Sequence, residues 1–286
     1  LPCKTNTVSN TAFRGFGGPQ GMLVIETVLE HIARHLGQSL DAVRSVNYYG
    51  DKERNLTPYG QKITDNIVEK LVELLSKEID YPGRVQAVER FNEENPVLKK
   101  GIAMMPIKFG ISFNMPALNQ AGALVHVYTD GSVHLNHGGT EMGQGLFVKV
   151  AQVVATEFQI DIDNIKISST RTDKVPNTSA TAASSGSDLN GMAAYDATNK
   201  IKTRMTRVAA GHFGVAPEEI EFRQNRVYAG NESLSFAEAA QMTWEQRESL
   251  SATGYYQTPD IHWDPITCTG SPFYYFSYGV AVSEVV

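Results

Sequence analysis

Three short segments, residues 14–21, 138–145 and 181–187, crowd glycines and other small residues just ahead of stretches with helical periodicity. No other feature constrains the chain as much. A helix begins with backbone N–H groups that lack intrahelical partners, and its dipole leaves that end positive. Where no bulky side chain intervenes, such a loop is a cradle for phosphate or another anion. Glycine- and serine-rich turns before helices also serve as plain caps and connectors, so one loop alone decides nothing. Three of them in 286 residues point to a large anionic ligand gripped by backbone amides.

The remaining periodicities predict an α+β protein with mixed sheets and packed helices. After a loop over residues 1–18, Met22, Ile25, Leu29, Ile32 and Leu36 recur at helical spacing, with Gly37 as the stop. A second helix carries Ile63, Ile67, Leu71, Leu74 and Leu75 and ends before Tyr81-Pro82-Gly83. A third carries Val85, Val88 and Phe91 and closes at Asn95-Pro96. Beyond Lys100 the pattern turns to strands over 104–113 and 123–128. Asp130-Gly131 joins the latter to 133–136, the strongest short-range hairpin signal. A helix over 146–158, a strand over 165–169 and a helix presenting Leu189, Met192, Ile201, Met205 and Val208 follow, with short strands and a helix near 237–242 last. The change of texture divides the chain into residues 1–100 and 101–286.

Composition excludes several classes. Apolar residues at 42% and charged residues at 20% are ordinary for a globular protein and rule out a disordered or collagen-like chain. Lys and Arg number 25 against 31 Asp and Glu, a net charge of -6 without basic clusters, so nucleic acid is not the expected partner. Cys3 and Cys268 are too few for a disulfide framework or for an iron–sulfur cluster, and read as reduced thiols of a cytoplasmic protein. No apolar run approaches the ~20 residues that cross a bilayer, so no membrane partner is expected.

Standard nucleotide motifs fail. Gly15-Phe16-Gly17-Gly18-Pro19-Gln20 lacks the third glycine of a dinucleotide fingerprint, and no glycine loop is followed by Lys-Ser or Lys-Thr. His31 and His35 have the spacing of a zinc-binding helix without its glutamate, and read as a solvated face. His126 opposing His134 across the hairpin is explained by cross-strand packing, with His137 beyond them. Phe13 and Phe16 either plug a core edge or offer a flat face to an aromatic ligand, and Arg14 is either a surface charge or a donor to an anion.

Asn10-Thr11-Ala12-Phe13-Arg14-Gly15-Phe16-Gly17-Gly18-Pro19-Gln20 resembles the signature loop of the xanthine oxidase family of molybdenum hydroxylases. Gly138-Gly139-Thr140-Glu141-Met142-Gly143-Gln144-Gly145 and Thr181-Ala182-Ala183-Ser184 match two further segments in order, and Lys108-Phe109-Gly110-Ile111-Ser112-Phe113 with residues 118–132 extends the match. Within that family the resemblance is to the molybdopterin-binding subunit of a bacterial-type xanthine dehydrogenase. It implies a molybdenum-cofactor-binding type of fold and a metal held by the dithiolene of molybdopterin. Backbone amides around Arg14 and Ala183 then face the metal's oxo groups. Gly143 and Gln144, with Ser184 and Ser185, hydrogen-bond the pterin and its phosphate. Phe16 stacks on a purine substrate, and Phe113 meets its edge.

Three departures qualify the resemblance. Asn114 stands where such enzymes commonly carry Thr, which puts substrate preference in question, and Gly186 stands where Ser is frequent. The glutamate base of the family lies in a Gly-Glu-Pro-Pro stretch that this sequence lacks. The chain therefore reads as an internal segment whose catalytic base, iron–sulfur clusters and FAD lie in other parts of an oligomeric enzyme. Two competing readings remain: an aldehyde oxidase-like or other N-heterocycle hydroxylase on the same scaffold, and a non-catalytic cofactor-binding module.

Overall fold

The computed structural model describes residues 3–8, 14–175 and 177–286. The first helices are α1 (Gly18–Leu36), α2 (Leu40–Ser45), α3 (Val68–Glu78) and α4 (Tyr81–Glu94), followed by strands β1 (Gly101–Ile111), β2 (Gln120–Val127) and β3 (Val133–His137). Then come α5 (Leu146–Phe158), β4 (Ile165–Ile167), α6 (Gly186–Phe213), β5 (Ile220–Arg223), β6 (Arg226–Ala229) and β7 (Glu232–Ser235). The last are α7 (Phe236–Glu245), β8 (Ser251–Gln257), β9 (His262–Asp264), β10 (Thr269–Ser271) and β11 (Tyr275–Val285). Two compact units result, Leu1–Ile111 with Ile261–Val286, and Ser112–Asp260.

The first unit is organised by an antiparallel ribbon. All of β1 pairs with β11, from Gly101 opposite Val285 to Ile111 opposite Tyr275. This long-range pairing closes the unit differently from the sequence division at residue 100, because β11 returns to β1. Two strands alone are marginal in water, and α3 and α4 pack on the ribbon. As expected, the second predicted helix, α3, ends before Tyr81-Pro82-Gly83, but that stretch is itself helical. It is the first turn of α4, with Asp80 as N-cap accepting from the Gly83 amide at 3.4 Å. Proline needs no N–H partner there, so it starts a helix as readily as it stops one. Ile63, assigned to the second helix by periodicity, is buried in the preceding loop, its amide bonded to Asn55 O. The periodic stripe of α1 is present but uncovered within its unit, with Ile25, Ile32 and Leu36 exposed and Ala33 its one buried residue among those described.

The second unit holds the larger core. A four-stranded sheet runs β4-β3-β2-β8, antiparallel except for the parallel β3–β4 pair. Alternation along β2 and β3 turns Ala123, Val125, Val127, Val133 and Leu135 inward. α5 and α6 cover that face with Val150, Val154, Phe158, Leu189, Ile201 and Met205. Met192 lies off the buried stripe, where Ala193, Ala194 and Ala197 instead let α6 approach β8 closely. A Cβ on Gly254 of β8 would sit 1.9 Å from Ala193 O, so glycine is required there. Asp130-Gly131 makes the expected turn, with Gly131 at φ 85 and Asp130 Oδ1 accepting from the Ser132 amide at 2.9 Å.

Candidate cofactor site

The loop from β3 to α5 is stitched internally. Glu141, exposed, accepts the Gly143 and Gly145 amides on Oε1 at 2.9 and 3.0 Å and the Phe147 amide on Oε2 at 3.0 Å. Those hydrogen bonds, the one from Phe147 foremost, hold its carboxyl below the ordinary range. Gln144 spans the loop, its Oε1 accepting from the Met142 amide at 2.6 Å and its Nε2 donating to Thr140 O at 2.9 Å. A carboxylate of the loop itself thus occupies the start of α5, where the sequence reading placed a bound anion. The Gly143 amide and both ends of the Gln144 carboxamide are engaged within the loop. The legible signal was a glutamate in the loop ahead of the helix, a position where acidic side chains cap orphan amides.

Two of the three glycine-rich loops meet in this unit. The Thr140 amide donates to Thr181 Oγ1 at 2.8 Å, and Thr170 Oγ1 donates to Gly139 O at 2.8 Å. Gly139 lies against Leu146 and Asn190, so closely that a Cβ would fall 2.6 Å from Leu146 Cδ2. Ala183 and Ser184 both adopt left-handed backbone, φ 54 and 57, although neither is glycine. Such residues cost of order 1–3 kcal/mol each and concentrate where ligands are held. Ser185, buried, precedes α6 and donates from Oγ to Ala182 O at 3.1 Å.

Phe113 and Asn114 join the same place. The Ser112 amide reaches Ala183 O at 3.4 Å, with Ser112 itself at φ 133. Buried Asn119, which sequence reasoning missed, clamps the turn: Oδ1 accepts from the Phe113 amide at 2.8 Å and Nδ2 donates to Phe113 O at 2.9 Å. Phe113 is half-buried and Asn114 exposed.

Arg14 and Phe16 belong to the other unit, and Phe13 with the rest of residues 9–13 lies outside the described residues. Phe16 is 76% exposed at φ 46, between Gly15 at φ 89 and Gly17 at φ 92. It plugs no core. Gly15 packs on the Pro19 ring, and Gly18 on Phe109.

Orphaned polar atoms surround the stitched loops. His137 Nδ1 accepts from the Gly139 amide at 3.1 Å, so Nε2 carries the proton, and that N–H is buried without a partner. Thr178 Oγ1, packed against Gly138, and Asn190 Oδ1, beside Gly139, are also buried and unpartnered. Burial holds His137 down to about 4, opposed by the Glu141 charge. Gly143 and Gly145, at φ 92 and 75, face open space. Polar groups awaiting partners beside an open glycine-lined rim fit a polar cofactor.

The profile of the molybdopterin cofactor-binding domain matches residues 74–286, and that of a second domain of the same description matches 1–48. The chain belongs to the molybdopterin cofactor-binding domain family. It is 44% identical over 286 residues to xanthine dehydrogenase of Dictyostelium discoideum and 46% identical over 283 residues to xanthine dehydrogenase/oxidase of Felis catus. Each alignment takes in 99% of this chain and 20% of the relative, so the chain spans about a fifth of their length. Quinoline 2-oxidoreductase from Pseudomonas putida 86 superposes with a TM-score of 0.75 at 19% identity, over 96% of this chain and 36% of that one. Cu,Mo-CO dehydrogenase gives 0.74 at 19%, over 94% and 35%. These structures share the molybdopterin-domain fold with it.

Proposed function

We propose that this chain is the molybdenum-cofactor-binding part of a xanthine dehydrogenase that hydroxylates hypoxanthine and xanthine in purine catabolism. The observation that carries the reading is 44–46% identity to xanthine dehydrogenases along 99% of the chain. The meeting of loops 138–145 and 181–187 beside Phe113 supports it. When bound, molybdenum–molybdopterin supplies two-electron oxidation at carbon with water as the oxygen source.

The chain's own residues hold and orient. Gln144 and Glu141 fix the shape of the rim, Ser184 offers its hydroxyl to the pterin phosphate, and Ser185, its own hydroxyl bonded to Ala182 O, braces the turn beside it. The left-handed backbone at Ala183 and, on the family resemblance, the amide at Arg14 would help to hold the molybdenum cofactor. Phe16 gives an exposed flat face for the purine, and Phe113, clamped by Asn119, meets the ring edge with Asn114 beside it. The base that moves the proton, the iron–sulfur clusters and FAD come from other parts of an oligomeric enzyme. Two cysteines are too few for a disulfide framework, which supports a reducing, cytoplasmic setting.

The test is xanthine turnover by the full-length enzyme carrying Phe16→Ala or Phe113→Ala. Loss of a stacking face is expected to raise KM for xanthine roughly tenfold, with molybdenum content unchanged. Xanthine KM unchanged in both variants, or a native enzyme that oxidises aldehydes and ignores purines, contradicts the reading.

A further inference from the structure

The outer face of the four-stranded sheet, turned away from α5 and α6, carries a cationic cluster that the cofactor site does not use. His126 on β2 stands opposite His134 on β3, which is in register with Lys166 on β4. The two imidazoles stack with centroids 6.1 Å apart at 27°. One step along, Leu124 stands opposite Asn136, and Ser168 follows β4 on the same face. Lys174 folds back over this row and donates from Nζ to Ser168 Oγ at 2.9 Å.

That contact fixes the polarity of its neighbours. Ser168 Oγ accepts from the ammonium, so its own hydrogen goes to Asn136 Oδ1. The Asn136 carboxamide is therefore oriented with Nδ2 away from Ser168. Asn136 is 2% exposed, and Nδ2 is buried without a partner. A buried donor left unsatisfied is costly, and buried polar groups find acceptors. The outward residues of β8 across from His126 and Leu124 are Ser251 and Thr253, so the rows hold no carboxylate. Asp173, beside Lys174 in the chain, is held by Arg171 Nε at 3.1 Å. Lys174 makes no ion pair among the described residues. The imidazole of His134 is held below its ordinary range by desolvation and then by the charges of Lys174 and His126, so positive groups crowd there without compensation.

We infer that Asn136, Lys174 and His134 form a binding site for a small oxyanion of phosphate size, on the face of the sheet turned away from α5 and α6. Such a ligand gives Nδ2 its acceptor and neutralises Lys174 in one step, with Ser168 orienting both.

Isothermal titration of the full-length protein with inorganic phosphate tests this. One saturable site is expected, weakening with added salt. Lys174→Gln, at a half-exposed position, is expected to lower affinity roughly tenfold, and Asn136→Leu to abolish binding. Should Asn136→Leu fail to fold, His134→Leu replaces it, with weakened binding expected. Absence of saturable binding overturns the inference, as does equal affinity in Lys174→Gln and the native protein.

Discussion

At the residue scale, Glu141 and His137 set the state of the cofactor loop. Glu141 supplies the negative charge at the start of α5 that a helix favours there, and it does so with three amide bonds. Replacing it by Ala is expected to lower the unfolding temperature and increase proteolysis near residue 143, whereas Glu141→Gln keeps part of the cap. Thermal melts and limited digestion of the full-length protein check this; indistinguishable melts would mean that the cap is idle. His137 acts through acidity. Its folded pKa of about 4 lies below the 6.5 of a free imidazole, so the fold favours the neutral ring. The stabilising contribution is therefore complete above pH ~6.5 and falls as pH drops towards 4, by roughly 3 kcal/mol. Denaturant unfolding at intervals across that window should show the slope, and His137→Phe should flatten it. Neither role was read from the sequence, because both depend on which side chain turns back onto the loop's own amides. Glycine pattern and order identified the loops; they did not show that loop 138–145 caps itself.

At the element scale, what was legible depended on local signals. Helix α5 has the bounds its periodicity predicts, since Gly145 and Gln159 bracket it in left-handed conformation. The β2–β3 hairpin follows from Asp130-Gly131. Tyr81-Pro82-Gly83 was read as the boundary after one helix and is also the first turn of the next, because proline marks either end of a helix, and short α2 escaped because its Ser39 cap starts only six residues. The pairing of β1 with β11 had no local signal at all. Nor did the fit of α6 against β8, where alanines and Gly254 replace a leucine stripe. Gly254→Ala forces a methyl into the α6 backbone and should destabilise the protein by about 1–3 kcal/mol or more. Urea titration measures it, and a loss below ~0.5 kcal/mol would mean that α6 shifts freely.

At the scale of the whole molecule, the chain is a fifth of its curated relatives, built as two units. The division of labour follows from it. Loops 138–145 and 181–187 with Phe113 belong to the second unit; Arg14 and Phe16 belong to the first, just ahead of α1, whose apolar stripe is uncovered there. Resemblance to the molybdenum hydroxylases identified the family, and the two domain profiles between them span all three loops. The central claim is that the joined loops grip the cofactor, and Thr181 is their direct link through the Thr140 amide. Molybdenum and pterin per polypeptide should therefore be quantified in full-length native protein and in Thr181→Val, a change nearly neutral in volume. A several-fold fall of both in a variant that still folds is the predicted result; a full complement of both in that variant would contradict it.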